Sequence, residues 1–206
     1  MAGFDHIAFA SSDLAEGVDF VEQLTGVKPA PGGPHTGIGT HNALLSLGED
    51  VYLEIIGKDP NQPEPARPRP FGLDDGLSPR VTSFAIHATE GETIDGVAET
   101  LRAAGEDPGP VVGMSRVQPS GEEISWRLTL SAQPGLVPFI IDWGDTPNPA
   151  TVTPQGCTLV ELRGTHPDPG TLRSLHDSLG LPTVITEGPV ALVAVLDTPN
   201  GRVELR

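Results

Sequence analysis

Apolar positions in this chain alternate in short runs, then switch to a spacing of three and four, and the order of those switches recurs. Residues 4–10 alternate as a strand, Ser11, Ser12 and Asp13 offer helix caps, and Leu14, Val18, Val21 and Leu24 mark one helical face closed by Gly26. Two apolar runs follow at 43–47 and 51–56, separated by turn residues at 48–50. The same order returns near the C-terminus. A strand over 158–162 leads to Pro167 and Asp168 at a helix start, then Leu172, Leu175 and Leu179, Gly180, and two closing strands. Between these copies, 81–143 carries a strand at 81–88, a helix at 93–104 stopped by Gly105, and strands at 124–131 and 136–143.

The pattern predicts an α+β chain of three βαβββ-like units: 1–57, 81–145 and a shorter one at 156–206. First and third copies share a Gly-Pro pair (Gly33-Pro34 and Gly188-Pro189) and similar closing strands, 51–55 and 203–205, so they are expected to superpose. Between its Gly-Pro pair and the next apolar strand, the first copy has residues 35–42 where the third has only Val190, which predicts an inserted glycine-rich loop. Residues 58–80 hold Pro60, Pro63, Pro65, Pro68, Pro70 and Pro79. Such a stretch lacks the N–H donors for a central strand and reads as a stiff connector, or as a lid using Phe71 as its apolar contact.

Composition narrows the partners. Asp plus Glu number 28 against 12 Lys plus Arg, a net charge of −16, which repels phosphate backbones and anionic lipid. Nucleic acid and membrane surfaces are therefore not expected. No run approaches the ~20 apolar residues that span a bilayer, and the N-terminus lacks a basic, then apolar leader, so a cytoplasmic location is expected. The single Cys157 sits in an apolar run, as a buried structural thiol would. No glycine-rich phosphate loop, CxxC, HExxH or GxSxG occurs, which leaves a small molecule as the expected ligand.

Strand parity decides which polar side chains share a face. His6 goes with Ala8 and Ala10, and Glu54 goes with Tyr52 and Ile56. A carboxylate in an apolar strand costs several kcal/mol, roughly, if buried alone, so Glu54 must meet a cation, a donor or water. If the faces of His6 and Glu54 coincide, the pair offers one imidazole and one carboxylate to a divalent ion. In the segment 35–42, His35, His41 and Asn42 stand among Gly37 and Gly39, either as donors close to a ligand or as a solvated turn, and His41 could serve as a general base. Arg127, between Trp126 and Leu128, either pairs with an acidic neighbour or clamps an anionic substrate group. His166 and His176 read as surface residues of the third helix.

With DHIAF opening a strand, YLEI closing the unit, and GGPHTGIGTHN between them, the chain resembles glyoxalase-like proteins of the vicinal oxygen chelate superfamily. That resemblance implies paired βαβββ modules whose curved mixed sheets form a cup, with metal ligands on the first and last strands of each module. Residue by residue, His6 and Glu54 match the first module's ligand positions. In the second, Ala85 stands where His6 would, His87 shares its face two residues on, and Asp142 lies roughly in the place of Glu54. The implied centre is a divalent ion (Zn, Fe, Mn or Ni) on His6, Glu54 and His87. His35, Asn42, Arg127 and Asp142 would contact substrate, with Glu54 and His41 moving protons. Isomerase, lyase, epimerase and dioxygenase chemistry on vicinal oxygens all stay open. So does a non-catalytic protein that sequesters a small molecule in the same cup, and so does a homodimer.

Overall fold

In the computed structural model, which describes all residues except 49, 77, 119 and 131–133, the alternating segments become strands of two curved sheets. The first stretch gives β1 (Ala2–Ala10), α1 (Leu14–Thr25), β2 (Ala30–His35), β3 (Thr40–Ser46) and β4 (Tyr52–Lys58). Asp13 caps α1 by accepting from the Ala15 amide at 2.8 Å, and Gly26 ends it in the left-handed region at φ 77°. The second gives β5 (Arg80–Ala88), α2 (Ile94–Ala103), β6 (Val111–Val117), β7 (Glu123–Thr129) and β8 (Phe139–Asp142).

These eight strands close into one barrel, in the order β1-β4-β3-β2-β6-β7-β8-β5, leaving no free edge. Each unit pairs its first strand parallel with its last: Ala8 opposes Glu54 across β1 and β4, and His87 opposes Ile141 across β5 and β8. The units join along β1 and β5, where His6 opposes Ala85, and along β2 and β6, where His35 opposes Arg116.

The segment expected to be an inserted loop is a hairpin. Its ends, His35 and Thr40, are paired members of β2 and β3. Two prolines and two glycines hide β2 from propensity arguments, yet a strand that meets β6 at a single matched pair tolerates proline. Gly33 has φ 144°, and a Cβ there would run into the Val117 carbonyl, so the close approach of β2 and β6 requires glycine.

The third stretch repeats the order of elements but not their pairing. β9 (Thr158–His166), α3 (Pro169–Leu179), β10 (Val184–Glu187), β11 (Ala191–Thr198) and β12 (Gly201–Leu205) form a separate four-stranded sheet, ordered β10-β9-β11-β12. Here the first strand lies antiparallel to β11 instead of parallel to the last strand, so the expected superposition of first and third units is corrected at the level of topology. The Gly-Pro match dissolves too, since Gly33 and Pro34 lie inside β2 whereas Gly188 and Pro189 follow β10. Local periodicity sets strand and helix; which strands pair follows from the face available for burial. Leu162, Leu175, Leu192 and Leu196 of this sheet and α3 join Ile7, Phe9, Phe84 and Ile86, the outward residues of β1 and β5, in one core.

A second core lies inside the barrel, built from Ala8, Ala85, Trp126, Phe139 and Ile141. The proline-rich connector reaches it. A 3-10 helix at Pro70–Asp75 inserts Phe71, buried, with its ring 5.7 Å from that of Phe139. Phe71 takes φ 62°, a rare conformation for a bulky residue. Arg69, also buried, holds the segment by donating to Gly39 O at 2.9 Å and pairing with Asp74 at 2.7 Å. No helix among the described residues is long and apolar enough to cross a membrane.

Candidate functional site

The register of β1 against β5 breaks between Phe4 and His6. A bulge there admits one extra residue, so Phe4 packs with the outer core while Asp5 comes beside His6. Asp5 is fully buried and accepts from His6 Nδ1 at 2.7 Å and from Trp143 Nε1 at 3.0 Å, with His87 Nδ1 at 3.5 Å. Burial pushes its pKa up, but the hydrogen bond from His6 and the nearby His87 ring outweigh that and hold it below the ordinary value. An ionised carboxylate only accepts, so the His6 proton is on Nδ1 and Nε2 is the atom left facing Glu54. Tyr52 stacks on His6 with ring centroids 4.6 Å apart, and burial next to Asp5 and Glu54 keeps its phenol protonated.

Parity on β3 and β4 turns Thr40, Asn42, Tyr52, Glu54 and Ile56 inward. Glu54 Oε2 lies 3.6 Å from His6 Nε2, and Oε1 accepts from Asn42 Nδ2 at 2.7 Å. The same amide is 3.2 Å from His35 Nε2, while His35 Nδ1 meets Thr40 Oγ1 at 2.9 Å. Burial lowers the pKa of His35 against the pull of Glu54, which keeps the ring neutral. It therefore accepts from Asn42 and donates to Thr40.

These groups form one wall of a barrel-interior cavity of about 380 Å³. The remaining walls are largely apolar, including Leu128, Trp126, Phe139, Ile141, Trp143 and, from the proline-rich connector, Phe71. Arg116, on β6, lines the same space; it is 5% exposed and donates from Nη1 to Gly32 O. Sequence reasoning missed Asp5, since alternation places it opposite His6 and a bulge leaves no local signal. It missed Arg116 because β6, with Gly113 and Ser115, lacks the expected apolar run.

Other expected site residues lie elsewhere. His41 points away from the cavity, opposite Gly57, one position out of phase with Asn42. His87 lies on the far side of Asp5 from His6 and is one-third exposed; the Asp5 carboxylate 3.5 Å from its Nδ1 raises its pKa. Asp142 is one residue out of phase. Because Tyr52 opposes His6 and Phe139 opposes Ala85, the second unit's counterpart of Glu54 is Ile141. Asp142 instead takes Arg127 in an exposed ion pair at 2.6 Å. Cys157 is buried, and burial raises its thiol pKa. His176, expected at the surface, is 1% exposed, bonds Leu136 O at 2.8 Å and packs edge-on against Phe84.

A four-ligand metal centre does not fit these residues. The related positions on the two units are His6, Glu54, Ala85 and Ile141, so one unit contributes only hydrocarbon. His35 has both nitrogens engaged, and among the described residues no three His, Cys, Asp or Glu side chains converge as a metal-holding group. Two donors, His6 Nε2 and Glu54 Oε2, fall short of the three protein ligands of an open catalytic site.

A family model described as a glyoxalase-like domain matches residues 4–180. Among solved structures, a hypothetical protein from Staphylococcus aureus aligns over 99% of this chain and 84% of its own, at 16% identity and a TM-score of 0.62. A methylmalonyl-CoA epimerase from Mycobacterium tuberculosis aligns at 18% identity over 61% of this chain and 77% of its own, with a TM-score of 0.37. A halotolerant catechol dioxygenase does so at 10% identity over 86% and 54%, with a TM-score of 0.40. No curated protein matches the sequence.

Proposed function

Because the chain belongs to the glyoxalase-like domain family, we propose that its barrel cavity is the active site of a small-molecule isomerase, lyase or epimerase. The substrate is a carbonyl compound with a neighbouring oxygen, and the reaction is proton transfer. The observation that carries this reading is Glu54, a buried carboxylate aimed into an apolar cavity, steadied by Asn42 on one oxygen and faced by His6 on the other. In the proposed step a C–H bond beside the carbonyl breaks and its proton goes to Glu54. The electron pair becomes the C=C bond of an enolate, and Glu54 then returns the proton, directly to carbon or to the oxygen by way of His6 Nε2. Asp5 and Tyr52 hold the imidazole in place, and the lid around Phe71 excludes water. The net charge of −16 supports small molecules, not nucleic acids, as partners.

The test is exchange of carbon-bound hydrogen in heavy water, followed by proton NMR across a panel of 2-oxo and 2-hydroxy carbonyl compounds. At least one compound should lose its signal with the native protein, and Glu54→Gln should slow that loss by about 100-fold or more. The largely apolar lining favours one other reading, a protein that sequesters its ligand unchanged. Tight binding of panel compounds without exchange in any of them would replace the catalytic reading with that one.

A further inference from the structure

We infer that Arg116 is the anion anchor of this cavity and that the ligand it takes is a small monocarboxylate with an aromatic or branched apolar body. The inference rests on the cavity being the functional site, as proposed above, and adds the substrate class. A guanidinium carries five N–H donors and keeps its charge at any physiological pH. Arg116 is 95% buried by its 5% exposure, yet among the described residues its side chain donates to a neutral acceptor, Gly32 O, and to no carboxylate. No carboxylate lies within ion-pair distance of it among the described residues. Every other buried or half-buried arginine with such a neighbour uses it, as Arg69 does with Asp74 and Glu64.

An unpaired charge inside a protein is costly, and folds normally bring it a counterion. The natural counterion here is Glu54, which lines the same cavity and whose charge favours the Arg116 cation, but it lies beyond ion-pair distance, with its oxygens turned to Asn42 and His6. Arg116 lines the cavity, and none of its nitrogens is both sealed from solvent and without a partner. The side chain is also pre-positioned. His35 opposes Arg116 across the β2–β6 seam, and Gly33 lets that seam close. A carboxylate arriving from solvent would complete the pairing through two parallel N–H···O bonds, the geometry a guanidinium fork is built for.

The rest of the cavity sets the ligand's body. Facing this buried cation are Trp126, Phe139, Phe71, Leu128 and Ile141, which offer area to a ring or a branched chain and no second charge to a dianion. Arg67 lines the mouth but is exposed on the connector. A volume of about 380 Å³ is near the low end of the ~300–1,000 Å³ of ligand pockets. It suits one compact acid.

The test uses matched pairs: phenylacetate, phenylpyruvate and 4-methyl-2-oxopentanoate, each against its primary amide, titrated by calorimetry into the whole protein. At least one acid should bind about tenfold or more tightly than its amide, and its affinity should fall with added salt. In Arg116→Gln that preference should vanish while amide binding persists, which also reports that the variant is folded; Arg116→Lys should keep part of it. Equal affinities of acid and amide in the native protein, no binding of any acid at millimolar concentration, or unchanged acid preference in Arg116→Gln would each overturn the inference. Acid preference without any hydrogen exchange sinks the catalytic reading and leaves the anchor standing. Exchange in neutral substrates with no acid preference does the reverse.

Discussion

At the scale of single residues, the site depends on one buried carboxylate organising its neighbours. Asp5 serves His6, His87 and Trp143 at once, and its place beside His6 comes from the bulge in β1. Its effect on His87 can be read directly. The Asp5 carboxylate beside it raises the His87 pKa above that of a free imidazole, so Asp5→Asn should move the His87 titration back down in an NMR pH series. His87 is one-third exposed and outside the cavity, so it reports on Asp5 without touching a ligand. A His87 titration unchanged in Asp5→Asn would mean that Asp5 does not carry the charge assigned to it.

At the scale of elements, β2 and β6 decide what the barrel contains, because their seam brings Arg116 and His35 to the same wall as Glu54. Neither strand has the composition of one. What permits them is Gly33, whose φ of 144° and contact with the Val117 carbonyl leave no room for a Cβ. Gly33→Ala should therefore cost about 1–3 kcal/mol or more in denaturant unfolding. It should also loosen the seam, seen as faster amide exchange in β2 and β6 than in β1 and β5. Full stability with unaltered exchange would show that the seam does not need glycine.

At the scale of the whole molecule, two histidines are buried neutral. His35 stands in the barrel wall, and His176 joins α3 to the Leu136 carbonyl beside the barrel. Burial lowers both folded-state pKa values, so on acidification the unfolded chain takes up these protons first, and stability falls as pH drops through and below the ordinary imidazole range. His87, with its pKa raised, acts in the opposite sense but is one-third exposed and screened by solvent. The melting temperature should thus decline from about pH 6.5 downward, well before carboxylates protonate. His176→Gln should shallow that decline. A melting temperature flat between neutrality and the carboxylate range would count against the burial of both rings.

Much of this was legible one residue at a time. Alternation alone put His6 with Ala8 and Glu54 with Tyr52 and Ile56; these are local facts, because side chains in a strand alternate whatever the strand pairs with. Helix and strand order followed for the same reason, from periods contained within ten residues or so. Only the tertiary structure decided that Asp5 turns beside His6, that Asp142 falls one step out of phase and Ile141 into the cavity, and that Arg116 reaches the site. It also decided that the third unit pairs β9 with β11. A bulge, a register and a choice of neighbouring strand are properties of two segments together, settled by which apolar faces can be buried at once, and no period along a single chain encodes them.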